Sequence, residues 1–205
     1  MDERMPERTV VQRGLYYDEL EVGTRYLHRP GRTVTEADNV LFTTLTMNTQ
    51  SLHLDAAWAE TQPFGQRLVN SMFTLATIVG ASVAQLTQGT IVANLGFEKV
   101  EFPHPLFHGD TLYSESVVVA KRPSASRPGQ GIVTFDHTGR NQNGDIVATA
   151  RRSALMWFSD AHGASQEGAD AHGASQEGTD AHGASQEGTD AHGPSAESPN
   201  LGEAR

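Results

Sequence analysis

The sequence predicts an α+β domain in which a curled antiparallel sheet wraps around one long central helix. Three observations predict it. The stretch from Leu68 to Leu86 is apolar on most sides and studded with small residues, as a helix buried inside a domain would be. Four segments rich in β-branched and aromatic residues follow it. An Asn-Gly pair within "NQNGD" (Asn141 to Asp145) marks the last two of these as a hairpin. One long helix and a run of antiparallel strands bury their apolar faces best when the sheet curls over the helix.

The elements follow in order. Thr24 to Val34 reads as extended. "TEAD" (Thr35 to Asp38) is a capping box, in which the Thr35 hydroxyl takes the N3 amide and Asp38 reaches back. The helix it opens carries Ala37, Leu41, Leu45 and Asn48 at spacings that place them on one face, so Asn48 is expected to end a buried stripe and point inward. Asp55 caps a short run, "AAWAETQ", which "PFG" stops. The central helix starts at Asn70, a good N-cap, and runs to Gly89. Met72, Leu75, Ala76, Val79 and Val83 form its predicted stripe, with Phe73, Ile78 and Leu86 on other sides. The strands are "IVANLGFEKVEF", "TLYSESVVVAK", "GIVTFDHTGR" and "DIVATARRSALMWF".

Residues 17–158 form the predicted domain, after a flexible lead over 1–16 and before a tail over 159–205. That tail repeats a decapeptide, "DAHGASQEGA" and its variants, with no large apolar side chain, so packing it would not offset its backbone entropy. It is expected to be disordered. Its Asp-x-His units are read as solvated, and no metal site is assigned to them. Nine of the 25 acidic residues but only Arg205 of the 15 basic ones lie from Ser159 onward, which leaves 16 against 14 in the remainder. The net charge of −10 therefore belongs largely to the tail, and no basic cluster points to nucleic acid or an anionic membrane. With no cysteine there is no disulfide framework, thiolate nucleophile or Cys-based zinc site. "MDERMPERTVVQRG" lacks the apolar core of a secretory signal, and Leu68 to Leu86 is too interrupted for a membrane span. These features suggest a cytoplasmic protein.

Several stretches then carry a resemblance: "LHLDAAWA", "PFG", "LVNSMFTLA" opening the central helix, and "FPHPLFHGDTL" ahead of a strand. Over about residues 17–158 the chain resembles the MaoC-like, R-specific enoyl-CoA hydratase family, whose domains adopt the hot-dog fold. "GLYYDEL", "GRTVTEADN" and "TMNTQSLHLD" resemble its branch of mesaconyl-CoA hydratases and β-methylmalyl-CoA dehydratases. The resemblance implies a hydro-lyase acting on the α,β double bond of a short-chain enoyl-CoA thioester. It also implies no cofactor beyond the CoA of the substrate, and a homodimer or higher homo-oligomer. In this family an Asp and a His share the water that adds, and a glycine N–H at the start of the central helix meets the thioester oxygen. Those roles fall on Asn48, His53 and Ser71. Asn70 stands where a second His is usual, and Gln50-Ser51 replaces an Asn-Pro pair.

The chemistry gives these positions meaning. Hydration needs a base for water, an acid for the α-carbon and donors for the enolate oxygen. Imidazole suits the proton steps, because its unperturbed pKa of about 6.5 lies near working pH. A carboxamide cannot titrate, so Asn48 would orient the water while His53 acts as the acid/base. On an ideal helix these two residues stand about 140° apart. They converge only if the chain leaves the helix at Thr49 to Ser51. Ser71 would act through its backbone N–H at the helix N-terminus.

Asp55 is read as a cap, His104 and His108 as loop residues, and Arg151 and Arg152 as a coat on the last strand. Two alternatives stand beside the hydratase: a hot-dog thioesterase, which needs a carboxylate beside the thioester carbonyl, and a non-catalytic acyl-CoA-binding partner.

Overall fold

The computed structural model describes residues 10–161, and most of the repeat tail predicted to be disordered lies outside them. A five-stranded antiparallel sheet has the order β1-β3-β4-β5-β2, with β1 Arg25–Thr33, β2 Ile91–Glu101, β3 Thr111–Pro123, β4 Gln130–Arg140 and β5 Ile146–Trp157. Helix α1 (Glu36–Leu45), short helices α2 (Ser51–Leu54) and α3 (Ala56–Glu60) and the central helix α4 (Ser71–Leu86) lie between β1 and β2. Strands β3 and β4 alternate strictly between buried and half-buried side chains along most of their length. This is the signature of a sheet with one face turned to a core.

Local chemistry sets the boundaries. The Thr35 hydroxyl accepts from the Asp38 amide at 3.2 Å, and the Thr35 amide donates to Asp38 Oδ2 at 2.9 Å. The Asp55 carboxylate takes the Trp58 amide at 3.0 Å, and Asn70 Oδ1 takes the Met72 amide at 3.0 Å. In the β4–β5 turn, Asn141 Oδ1 accepts from the Asn143 and Asp145 amides while Gly144 takes φ 89°, which glycine adopts without a Cβ penalty.

The concave face packs on α4 in two clusters. Leu86 joins Tyr17, Val118, Phe135 and Met156. Ile78 and Phe73 join Val34, Leu112 and Val147. Each fully buried side chain of this size contributes about 1.5–3 kcal/mol. Gly139 permits the close approach, since a Cβ there would lie 2.6 Å from Ile78 Cγ2.

Two predicted stripes are corrected. On α4 the buried residues are Phe73, Thr74, Ile78, Ser82 and Leu86. Met72 and Ala76 are exposed, and Leu75, Val79 and Val83 are half-buried. A helix apolar on most sides gives its periodicity no single direction, and the sheet covers only one of those sides. On α1 the buried residues are Asn39 and Thr43, while Leu41 and Leu45 are 61% and 74% exposed. The helix ends at Leu45 and the chain reverses at Met47 with φ 56°, ahead of the exit expected at Thr49 to Ser51.

At the predicted flexible lead, Gly14 and Leu15 donate to the Gln88 and Leu86 carbonyls at 2.7 and 3.1 Å. At the predicted start of the tail, the Ser159 amide and hydroxyl both bond Asp18 at 2.8 Å. Among the described residues no helix is long and apolar enough to cross a membrane.

Candidate active site

After the reversal at Met47, Asn48 Oδ1 accepts from the Gln50 amide at 3.0 Å. This side-chain turn launches α2, which carries His53. The His53 ring is half-buried, and its Nδ1 lies 2.9 Å from the Leu68 carbonyl oxygen. A carbonyl only accepts, so Nδ1 carries the proton and the neutral ring keeps its lone pair on Nε2.

The segment that supplies this carbonyl is itself fixed. The Leu68 amide donates to the Leu52 carbonyl at 3.1 Å, and the Val69 amide to the Leu106 carbonyl at 2.9 Å. Asn39, 0% exposed, ties the assembly together. Its Nδ2 donates to the His53 carbonyl at 3.1 Å and the Leu68 carbonyl at 3.3 Å, and its Oδ1 accepts from the Asn70 amide at 2.8 Å. One side chain thus joins the histidine segment, the strap that anchors its ring and the N-cap of α4. In the sequence Asn39 carries no local signal of this role beyond being a polar residue one place after the capping box.

Two of the three predicted site residues meet. His53 and Ser71 line one cavity of about 330 Å³. The rest of its lining is largely apolar, including Leu52, Phe64, Leu106 and Val147, with Thr74 and His104 as the other polar members. Ser71 is the first residue of α4, where an amide has no intrahelical acceptor. Asn70 Oδ1 serves the Met72 amide rather than the cavity. Asn48 is half-buried and does not line the cavity, and its Oδ1 is committed to Gln50. The inward stripe expected to carry it is absent, because α1 stops before it.

A larger depression of about 580 Å³ lies over β2, β4 and β5 beside Glu98, Lys99, Asp136 and Arg151. Arg151 there holds Asp136 in a two-pronged ion pair at 2.7 Å, and neither His53 nor Ser71 borders it. Among the described residues, no three His, Cys, Asp or Glu side chains gather as a metal would require.

The loop histidines differ from each other. His104 is exposed, and its Nδ1 lies 2.9 Å from the Ile146 carbonyl at the cavity rim. His108 is half-buried near Arg67, which pairs with Glu36, and burial followed by the Arg67 charge lowers its pKa.

A second polar assembly lies under the sheet. Gln85 Oε1 meets His28 Nδ1 at 2.9 Å, and the Ser116 hydroxyl sits 2.7 Å from both His28 Nε2 and His137 Nδ1. Burial, then the Arg152 charge, then His28 push the His137 pKa down to about 3. Arg152 does not coat its strand as expected. It is 5% exposed on the inner face, and its Nε donates to Asn94 Oδ1 at 3.1 Å.

Residues 19–141 match the MaoC like domain family. The chain belongs to that family. This MaoC-like chain is 29% identical over 146 residues to a mesaconyl-CoA hydratase of Haloarcula hispanica, an alignment covering 71% of the chain and 40% of that relative. It is 25% identical over 154 residues to a β-methylmalyl-CoA dehydratase of Chloroflexus aurantiacus, covering 75% of the chain and 43% of that relative. The MaoC-like chain therefore spans less than half the length of these curated relatives.

Among solved structures, the (R)-hydratase from A. caviae involved in PHA biosynthesis is 28% identical with a TM-score of 0.57, over 68% of the chain and 98% of that structure. A Mycobacterium tuberculosis protein with a double hot-dog fold superposes with a TM-score of 0.61 at 23% identity, over 71% of the chain and 45% of that structure. The MaoC-like chain has the hot-dog fold that its sequence led us to expect.

Proposed function

We propose that this chain adds or removes water across the α,β double bond of a short-chain enoyl-CoA thioester, with a branched dicarboxylyl-CoA such as mesaconyl-CoA as its substrate. The reading rests on one observation above all: His53, with Nδ1 spent on the Leu68 carbonyl, and Ser71 at the N-terminus of α4 line the same cavity.

In the hydration direction, His53 Nε2 takes a proton from water as its oxygen bonds the β-carbon. The electrons of the double bond move toward the thioester carbonyl. The Ser71 N–H, aided by the helix dipole, stabilises the enolate oxygen. The protonated ring then returns its proton to the α-carbon, so the reaction balances with one acid/base group. Asn48, which lies outside the cavity lining, supports this as a positioning residue: its Oδ1 holds the turn before α2 and so helps set where His53 stands. No carboxylate lines the cavity among the described residues, which counts against the thioesterase alternative. The names of the curated relatives support the dicarboxylyl substrate.

We further propose a cytoplasmic homodimer. Its support is an exposed, largely apolar side of α4 (Met72, Ala76) together with Leu95 and Phe97 exposed on the edge strand β2. Sedimentation at micromolar concentration tests it, and a monomer refutes it.

Incubation with mesaconyl-, itaconyl- and crotonyl-CoA tests the activity. Loss of enoyl absorbance without release of free CoA is the expected result. Release of free CoA marks a thioesterase, and binding without turnover a non-catalytic partner.

A further inference from the structure

We propose that His104 recognises a free carboxylate at the far end of the acyl group, and so makes the cavity prefer dicarboxylyl over monocarboxylyl thioesters. The inference rests on the hydratase reading above and names the residue that would set its substrate class.

The cavity presents a problem that a dicarboxylate must solve. Its lining includes no lysine, arginine, aspartate or glutamate among the described residues, and most of it is apolar. A carboxylate moved from water to such a surface loses several kcal/mol of hydration unless a charged or hydrogen-bonding partner meets it. Only the two histidines of the lining are able to carry positive charge. His53 is needed neutral, with its Nε2 lone pair directed at water. His104 remains.

Its geometry suits the task. Nδ1 is held 2.9 Å from the Ile146 carbonyl at the start of β5, so Nε2 is the nitrogen left to meet an occupant. Pro103 and Pro105 flank the residue, and both restrict the backbone that presents the ring. The ring is exposed at the rim of the cavity, where an occupant's end can reach it. Protonated, it donates from Nε2 to a carboxylate oxygen in a charge-assisted hydrogen bond while still donating from Nδ1 to Ile146. On the hydratase reading the thioester carbonyl is placed at Ser71, and His104 belongs to the same lining, where it is open to the other end of the acyl group.

The test is the ratio of kcat/KM for mesaconyl-CoA to that for crotonyl-CoA, measured on the full chain. His104→Gln keeps a side-chain donor for the Ile146 carbonyl but carries no charge. It is expected to lower this ratio about threefold to fivefold, the scale of one solvent-exposed ion pair. His104→Arg restores a fixed positive charge and is expected to keep the ratio above that of the glutamine variant. A merely structural histidine would slow both substrates together and leave the ratio unmoved. A ratio unmoved by His104→Gln, or lost equally in His104→Arg, overturns the assignment. So does an unaltered protein that hydrates crotonyl-CoA but not mesaconyl-CoA. Failure of the unaltered protein to hydrate either substrate overturns instead the hydratase reading beneath it.

Discussion

Asn39 Oδ1 accepts the Asn70 amide at 2.8 Å, linking a residue of α1 to the N-cap of α4 across 31 positions of sequence. The same carboxamide donates to the carbonyls of His53 and Leu68. One buried side chain thus helps fix the relative placement of the imidazole and the α4 N-terminus, beside the direct bonds between the His53 segment and Leu68.

Replacing that side chain takes a partner from the His53 carbonyl and the Asn70 amide, while the Leu68 carbonyl keeps its bond from the His53 ring. Each unsatisfied group costs about 1–3 kcal/mol, with partial relief from relaxation and water. Asn39→Ala is expected to lower unfolding stability by about 3 kcal/mol in urea titrations and to reduce kcat more than it raises KM. A variant as stable as the parent would show that the three contacts are dispensable.

His53→Ala removes the only acid/base group placed on the cavity by this mechanism. General acid/base groups supply about 10²–10⁴-fold in rate, and kcat is expected to fall within that range with the fold intact by circular dichroism. Turnover within a few-fold of the parent would refute His53 as the base.

Ser71→Pro separates the amide from the helix. Proline is tolerated at the first helical position, and Asn70, at φ −58° and ψ 125°, already has the extended conformation that a following proline requires. The helix should survive while the donor disappears, and kcat should drop about 10²-fold; Ser71→Gly, which retains the N–H, should not show that loss. Equal kcat in the proline variant and the parent would remove Ser71 from the mechanism.

His137 makes stability depend on pH. Its folded pKa, about 3, lies below the ordinary value of 6.5, chiefly through burial and then through the charge of Arg152. Between those values the unfolded chain binds the proton that the folded one refuses. Its contribution is thus whole above pH 6.5 and is lost as the pH falls toward 3. The slope from this one group is at most about 1.4 kcal/mol per pH unit. His28, also held below its ordinary value by burial, adds to it in the same direction. Denaturation midpoints from pH 7 to 4 should fall less steeply in His137→Asn than in the parent. Parallel curves would mean that the ring is already solvated in the folded state.

The sequence by itself determined the parts whose causes are local. Thr35, Asp55 and Asn70 cap helices because each oxygen reaches an amide two or three residues away. The β4–β5 turn closes on the Asn141 side chain and on Gly144 for the same kind of reason. The residues bearing the family resemblance were equally legible, and His53 and Ser71 could be singled out from them. Tertiary structure alone decided which sides of the helices became interior. Helix α4 is apolar on most sides, so the curl of the sheet selects Ile78 and Leu86 over Val79 and Val83. Helix α1 exposes Leu41 and buries Asn39, because the backbone groups of His53, Leu68 and Asn70 converge there and need a partner more than the core needs another leucine. The same holds for Arg152 beneath the sheet and His104 at the cavity rim. Their partners, Asn94 and the Ile146 carbonyl, are brought near only by the folded chain, and no local spacing encodes that meeting.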